Sequence, residues 1–424
     1  MKKLETLLLP IGNKLSANKY LNSINRGFMI ILPITLFGSI FTLIGSLPIK
    51  AYTDFLAANG LSAILAVPGK ITVDMIAIYA VVAIGYSYAK REDLNAIPVG
   101  VASLLNFLIL TPLGKVTVDE KLLTFVSFDW IGAKGLFVAM FTGLITARIF
   151  QIFIKNDWTL KLPDGVPPMV AASFNALVPI IAISTLFLGI SFAFTFTPFG
   201  NIHQLIYKVV QTPLTALGTN LVAVLIFELA MGLLWWFGLH GGNIVGSITT
   251  PLFLPLGVEN LTAYQAGEAL PHIYTNVFRN VYIYSGTGAT LAFTLLMVFV
   301  AKSQQYKTLG RIAAPANLFF INEPVLFGVP IVLNPIMFIP FLVAPLVNIA
   351  LAYTLTMFGI LPRLISYQLP WTTPLFFSGL MQGGWIVAFF QLFLLVLDGL
   401  IYYPFFKVLD KQAAESEVVV KETI

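Results

Sequence analysis

Cysteine is missing from all 424 residues, and charge is scarce: Asp, Glu, Lys and Arg together make up 10% of the chain, against about 25% in a typical soluble domain. The first absence excludes disulfides, thiolate metal ligands and thiol nucleophiles. The second excludes a globular surface facing water on all sides, because so few ionic side chains could not cover it. Histidine is almost as rare. His203, His240 and His272 form neither an HxxxH pair nor any other metal-ligand spacing, so no metal or cofactor is expected. The net charge of +5 comes mainly from Lys and Arg flanking apolar runs, which gives no nucleic-acid signature. A cleavable signal peptide is not expected either. The early charges Lys2, Lys3, Glu5, Lys14, Lys19 and Arg26 spread out ahead of the first long apolar run, and no small-residue cleavage motif follows a short apolar core.

What is present is hydrophobic. Apolar and aromatic residues account for 58% of the chain, and the mean hydropathy is +0.89. An uncharged stretch runs over 27–49, long enough as a helix to cross a hydrocarbon core about 30 Å thick. Further candidate spans cover 74–89, 94–113, 132–154, 169–194, 219–239, 280–301, 333–358, 374–382 and beyond, and 383–406. The reading is an all-α polytopic membrane protein with about ten transmembrane helices. Helices are the spanning element because the alternation of a membrane β-barrel is missing.

Loop charge orients the first part of the chain. Basic residues gather before the first span, at Lys90–Arg91, and again at Arg148, Lys155 and Lys161, which places the N-terminus in the cytoplasm. An even number of spans then returns the tail to the same side. Lys302, Lys307 and Arg311 fit that count poorly. Two apolar segments crowded with Gly, Pro and Asn, near 238–271 and 310–335, suit re-entrant hairpins, since broken backbone at membrane depth survives only inside protein or beside a watery cavity. The expected organisation is a cytoplasmic N-terminal segment over 1–26, a first helical half over 27–218, a second half with both hairpins over 219–406, and a cytoplasmic tail over 407–424.

Three clusters could carry chemistry. In Trp235-Trp236-Phe237-Gly238-Leu239-His240-Gly241-Gly242-Asn243 an apolar helix ends in glycines around a histidine. Glycine lets the backbone turn and approach a ligand, and an imidazole offers a donor and an acceptor to a sugar hydroxyl. The plainer alternative is a capped helix end whose histidine bonds a neighbouring carbonyl. The second cluster runs from Ala316 to Gly328 through Asn322, Glu323 and Pro324, and Glu323 is the sole formal charge between Arg311 and Arg363. A carboxylate at membrane depth must face a polar cavity, find a partner or stay protonated. It could draw a proton from a substrate hydroxyl, or simply lock two helices as a salt bridge. The third is Gln382-Gly383-Gly384-Trp385, where an indole suits the flat face of a sugar ring and Gln382 its hydroxyls; an interfacial belt Trp competes with this reading. Glu228 could line the same cavity or pair with a cation. Asp74 and Asp398 sit near span ends and are expected at the interface.

The Gly-Leu-His-Gly-Gly-Asn run at 238–243, together with Ile-Asn-Glu-Pro-Val-Leu-Phe-Gly at 321–328, resembles the membrane-embedded IIC component of the lactose/cellobiose/diacetylchitobiose family of bacterial phosphotransferase systems. The segment 21–27 and Ser285-Gly286-Thr287-Gly288-Ala289-Thr290 share the likeness. One departure is Tyr284-Ser285, where the family often has two adjacent glycines.

The resemblance implies a homodimer of ten-helix protomers in the bacterial cell membrane, dimerised through the first helices. The later helices and both hairpins would enclose a β-linked disaccharide of cellobiose, diacetylchitobiose or lactose type. It implies His240 and Glu323 near the sugar's 6-hydroxyl, with Asn243, Asn322, Gln382 and Trp385 as further substrate-binding candidates. The phosphoryl donor in related systems is a phosphocysteine on a IIB protein. This chain has no cysteine, so a separate phospho-IIB is expected to dock from the cytoplasm. An ion-coupled secondary sugar transporter explains broken helices and an intramembrane acid equally well, and a membrane enzyme acting on lipid-linked sugars is a further rival.

Overall fold

The computed structural model describes residues 17–46, 50–118, 120–160, 162–163, 165–329 and 331–423. Most of the expected N-terminal segment, including Lys2, Lys3, Glu5 and Lys14, lies outside the described residues, as do Ile49, Lys161, Pro330 and Ile424. The described chain is mostly helical, with one short hairpin and irregular connections such as 266–277 and 359–376. In order it comprises α1 (Lys19–Gly45), α2 (Lys50–Ala58), α3 (Leu61–Thr72), α4 (Ile76–Arg91), α5 (Ala96–Leu110), β1 (Leu113–Val118), β2 (Lys121–Val126), α6 (Phe128–Ile131), α7 (Leu136–Lys155), α8 (Pro168–Phe194) and α9 (Ile202–Leu205). A π-helical turn at Ile206–Gln211 leads into α10 (Thr212–Gly218), followed by α11 (Leu221–Trp236), α12 (Gly241–Gln265), α13 (Phe278–Tyr282), α14 (Leu291–Phe299), α15 (Gln304–Leu318), α16 (Glu323–Gly328), α17 (Pro335–Met357) and α18 (Phe377–Thr423).

Among the described residues, seven helices are long and apolar enough to cross a membrane, and an eighth if the broken pair at 202–216 and 221–236 is one span. The protein is an integral, polytopic α-helical membrane protein. The sequence expectation of about ten spans included apolar runs that the structure interrupts. The run over 94–113 becomes the shorter α5 and then the antiparallel β1–β2 hairpin, with Leu113 opposite Val126. The run over 280–301 is split into α13 and α14, because Ser285, Gly286, Gly288 and Ala289 all take positive φ. The last two expected spans, 374–382 and 383–406, are two helical segments joined at a kink within α18, where Gly384 leaves helical geometry (φ 77°, ψ −167°), and the first of them is short. The awkward cations Lys307 and Arg311 belong to α15, a helix outside the membrane-length set.

The described chain divides into two compact units: 17–216 with 250–262, and 217–249 with 263–424. In the first, α4 packs against α1, α5 and α7, and α1 also meets α3. Small residues let these helices close up, as membrane helices require without a hydrophobic drive between them. A Cβ on Gly85, for instance, would collide with the Ser103 side chain. At one end of this unit Glu92 receives Lys19 Nζ at 3.0 Å and Lys155 Nζ at 3.6 Å, and Gln151 also donates to it. Its carboxyl is held below the usual glutamate range: burial pushes it up, but the two ammonium groups outweigh that effect.

In the second unit α11 packs on α17, while α14 packs on α15 and α18. Irregular backbone here is satisfied by buried amides rather than by helix bonds. Gln391 accepts from the amides of Phe376 and Gly379 and donates to Val281 O. Asp398 does not lie at an interface as the sequence suggested. It is 0% exposed, because Tyr284 and Asn348 converge on it from two other elements.

Candidate functional site

The end of α11 shows why three glycines surround His240. The chain reverses at Gly238, which has φ +80°, a value that costs an L-residue strain. A Cβ on Gly241 would then strike the Met231 carbonyl, so α12 can start against α11 only with glycine there. His240 accepts at its carbonyl from the amides of Asn243 (3.1 Å) and Ile244 (3.2 Å). Its ring lies 4.5 Å from that of Trp235, tilted by 46°.

The Asn243 amide that donates to the His240 carbonyl is shared with the ring, donating also to Nδ1 at 3.1 Å. A nitrogen that accepts a backbone N–H carries no hydrogen of its own, so the ring hydrogen sits on Nε2. The capped-helix alternative is therefore met in an altered form: the ring accepts from an amide instead of bonding a carbonyl. His240 remains exposed.

Glu323 opens α16 and is also exposed. Among the described residues it makes no ion pair; the acid that is paired nearby, through Arg279, is Glu228. Arg279 reaches Glu228 in bidentate fashion, Nε to Oε2 at 2.7 Å and Nη2 to Oε1 at 3.2 Å, and also donates to Thr287 Oγ1 at 3.3 Å. Asn322 is 5% exposed and donates to Thr287 O at 3.0 Å and Thr290 Oγ1 at 3.2 Å. A chain of polar contacts thus runs from α11, through Arg279 and the unwound 283–290 turn, to the residue beside Glu323. The segments are also stitched directly. Leu333 N donates to Trp236 O at 2.9 Å, and Trp236 Nε1 donates to Asn334 O at 3.2 Å. These bonds tie the residues just before the His240 turn to those just after α16.

The remaining candidates are placed differently. Asn243 is exposed beside His240. Gln382 is 2% exposed and clasps Tyr367, accepting from its amide at 3.0 Å and donating to its carbonyl at 2.7 Å. The hollow it borders, with Trp371 and Asn280, holds about 20 Å³, room for one water. Trp385 is 64% exposed and stacks near Phe389 at 6.2 Å. Asp74 accepts from Thr262 Oγ1 at 3.2 Å at the break between α3 and α4. No cluster of three or more potential metal-ligating side chains occurs among the described residues.

Sequence reasoning missed Arg279, Thr287 and the role of Asp398. Arg279 carried a signal, being the only Asp, Glu, Lys or Arg between Glu268 and Lys302.

The comparisons with known proteins agree with this architecture. The family described as "Phosphotransferase system, EIIC" matches residues 25–345. The oligo-beta-mannoside-specific EIIC component of Bacillus subtilis is 35% identical, over 100% of this chain and 97% of that protein. The cellobiose-specific EIIC component of Geobacillus stearothermophilus is 35% identical over 98% and 96% of the two chains. The lactose-specific EIICB component of Lacticaseibacillus casei is 34% identical over the whole of this chain but 74% of its own. Among solved structures, the transporter ChbC, the IIC component of the N,N'-diacetylchitobiose-specific phosphotransferase system, superimposes with a TM-score of 0.93 at 34% identity, covering 98% of this chain and 99% of that one. The chain belongs to the EIIC family of the phosphotransferase system: it is a membrane-embedded sugar permease component. Such a component acts with a sugar and with a IIB component, separate or fused.

Proposed function

We propose that this permease imports a β-linked disaccharide of the cellobiose, diacetylchitobiose or lactose type and presents its 6-hydroxyl to a separate phospho-IIB protein. Cellobiose, lactose and N,N'-diacetylchitobiose appear in the names of its relatives. In the reaction the sugar O6–P bond forms as the S–P bond of the IIB phosphocysteine breaks. The thiolate stays on IIB, and the O6 proton passes to Glu323.

The observation that carries this reading is the division of labour between two exposed side chains on stitched segments. His240, with Nδ1 occupied by the Asn243 amide, can only donate through Nε2, so it holds a sugar oxygen. Glu323, with no ion pair among the described residues, is left as the acceptor that can take the proton. Asn243 lies within reach of the same turn as a sugar contact. Asn322 and Gln382 support the site by holding backbone, and Trp385 offers an indole face to a sugar ring. The 27–218 half supplies the homodimer contact and the 219–406 half the sugar site, with the 1–26 segment and 407–424 tail in the cytoplasm by the loop-charge argument.

Energy coupling tests the reading. Uptake of labelled disaccharide into vesicles should require phosphoenolpyruvate and the soluble phosphocarriers, deliver sugar phosphate, and survive collapse of ion gradients. Uptake that stops with the gradients and delivers free sugar would replace this proposal with ion-coupled transport.

A further inference from the structure

The 284–290 turn links the Glu228–Arg279 pair to Asn322, and its backbone is strained. Ser285 and Ala289 hold φ of +67° and +52° without being glycine, which persists only where surroundings over-determine it. Tyr402 donates to Gly288 O at 2.6 Å, and Asn322 holds Thr287 and Thr290. Ser285 donates to Asn317, and a further anchor is Tyr284, whose hydroxyl donates to Asp398 Oδ2. Asn348 Nδ2 donates to the same oxygen at 3.0 Å. All three side chains are 0% exposed.

Two oxygens in this cluster have no hydrogen-bond partner: Asp398 Oδ1 and Asn348 Oδ1. They belong to side chains already joined by one hydrogen bond. A carboxylic acid and a primary amide pair in a ring of two bonds, amide N–H to one acid oxygen and acid O–H to the amide oxygen. Here the amide N–H bond is made, and each side chain keeps one oxygen without a partner. A proton on Asp398 would supply a donor to a cluster whose unpaired groups are otherwise all acceptors. Reversing the Asn348 amide would not remove the need, since it would set two acceptor oxygens 3.0 Å apart. No cation pairs with Asp398 among the described residues. The titratable groups that face it are the phenols of Tyr284 and Tyr402. An ionised carboxylate so enclosed would carry a bare charge in apolar surroundings.

We propose that Asp398 is a neutral, protonated acid in the folded permease, and that the Asp398–Asn348–Tyr284 cluster is a positioning device that sets the 284–290 turn under Asn322 and thereby aims Glu323. The positioning half rests on the role given above to Glu323; the protonation half does not.

Difference infrared spectroscopy of the purified permease against Asp398→Asn should show a protonated-carboxyl C=O band that the variant loses. Asparagine can accept from Tyr284 and offers an N–H donor in place of the acid O–H, so D398N should retain phosphorylation-coupled uptake to within about threefold, while Asp398→Ala should lose about tenfold or more. Tyr284→Phe, which removes only the hydroxyl, should lower the maximal rate more than it raises the KM for sugar. A missing carboxyl band, or D398N as impaired as D398A in folded protein, would overturn the neutral acid. If D398A fails to fold, the band and the D398N rate still decide that point. A retained band with an unchanged Tyr284→Phe rate would overturn the positioning role alone.

Discussion

Removing the charge from one side of the Glu228–Arg279 pair should cost more stability than deleting both charges together. Glu228 and Arg279 side chains are 4% and 21% exposed, and Arg279 Nε lies 2.7 Å from Glu228 Oε2. With charge centres about 4 Å apart and an effective dielectric near 20, their attraction is about 4 kcal/mol. Burial of both ions offsets much of that, so the net worth of the intact pair is small. Breaking it is another matter, because Glu228→Gln leaves Arg279 charged and half-satisfied in a place with little water, at a cost of about 3–5 kcal/mol. Arg279→Met should do the same to Glu228. The double variant Glu228→Leu/Arg279→Met should recover most of the loss. Chemical or thermal unfolding of the detergent-solubilised permease, arranged as a double-mutant cycle, reads this directly. The pair also ties α11 to the strained turn, so each single variant should lower uptake further than its stability loss alone explains. Single variants within about 0.5 kcal/mol of wild type, or a double variant worse than either, would refute the argument.

Two further outcomes follow from separate contacts. Asn243→Pro removes the amide that fixes the His240 tautomer, in the first turn of α12, where proline is tolerated; disaccharide uptake should fall about tenfold or more, while Asn243→Ala, which keeps the amide, should lose less. Equal losses in the two variants would show that the Asn243 side chain, not the ring orientation, matters. Glu92, held below its ordinary value of 4.5 by Lys19 and Lys155 against the effect of burial, contributes stability that is present above 4.5 and lost as pH falls through its lower folded value. Unfolding curves at descending pH should show that loss in the wild type and not in Glu92→Gln; parallel curves would count against the network.

The parts of this molecule legible in sequence were those where composition alone forces an outcome. A chain of long uncharged runs had to lie in a membrane, though not every run is one spanning helix. Glycines around His240 had to mark a reversal, and Gly238 and Gly241 do so for the two reasons that exclude other residues: left-handed backbone and contact with the Met231 carbonyl. The Glu228 partner was within reach of the same reasoning, because Glu228 stands alone between Lys208 and Glu259 as Arg279 does between Glu268 and Lys302. Two solitary opposite charges in apolar surroundings have few places to go but to each other. What stayed hidden depended on backbone that hydropathy does not register. The 280–301 run reads as one span, yet Ser285 and Ala289 are held in left-handed conformation by Asn317, Asn322 and Tyr402, which are distant in sequence. Asp398 looked interfacial because an apolar neighbourhood says nothing of an Asn348 or a Tyr284 arriving from elsewhere. Gln382 and Asn322, chosen for their hydrogen-bonding groups, spend them on Tyr367 and on Thr287 and Thr290.

Glu323→Gln is the most direct test of the account, with sugar binding and phosphoryl transfer measured on the same folded preparation. Glutamine preserves size and hydrogen bonding but cannot take the O6 proton. Transfer from phospho-IIB to bound disaccharide should therefore fall by about 10²- to 10⁴-fold, while the equilibrium Kd for sugar stays within about fivefold. Transfer at the wild-type rate by the folded variant would contradict the assignment of Glu323 as the proton acceptor.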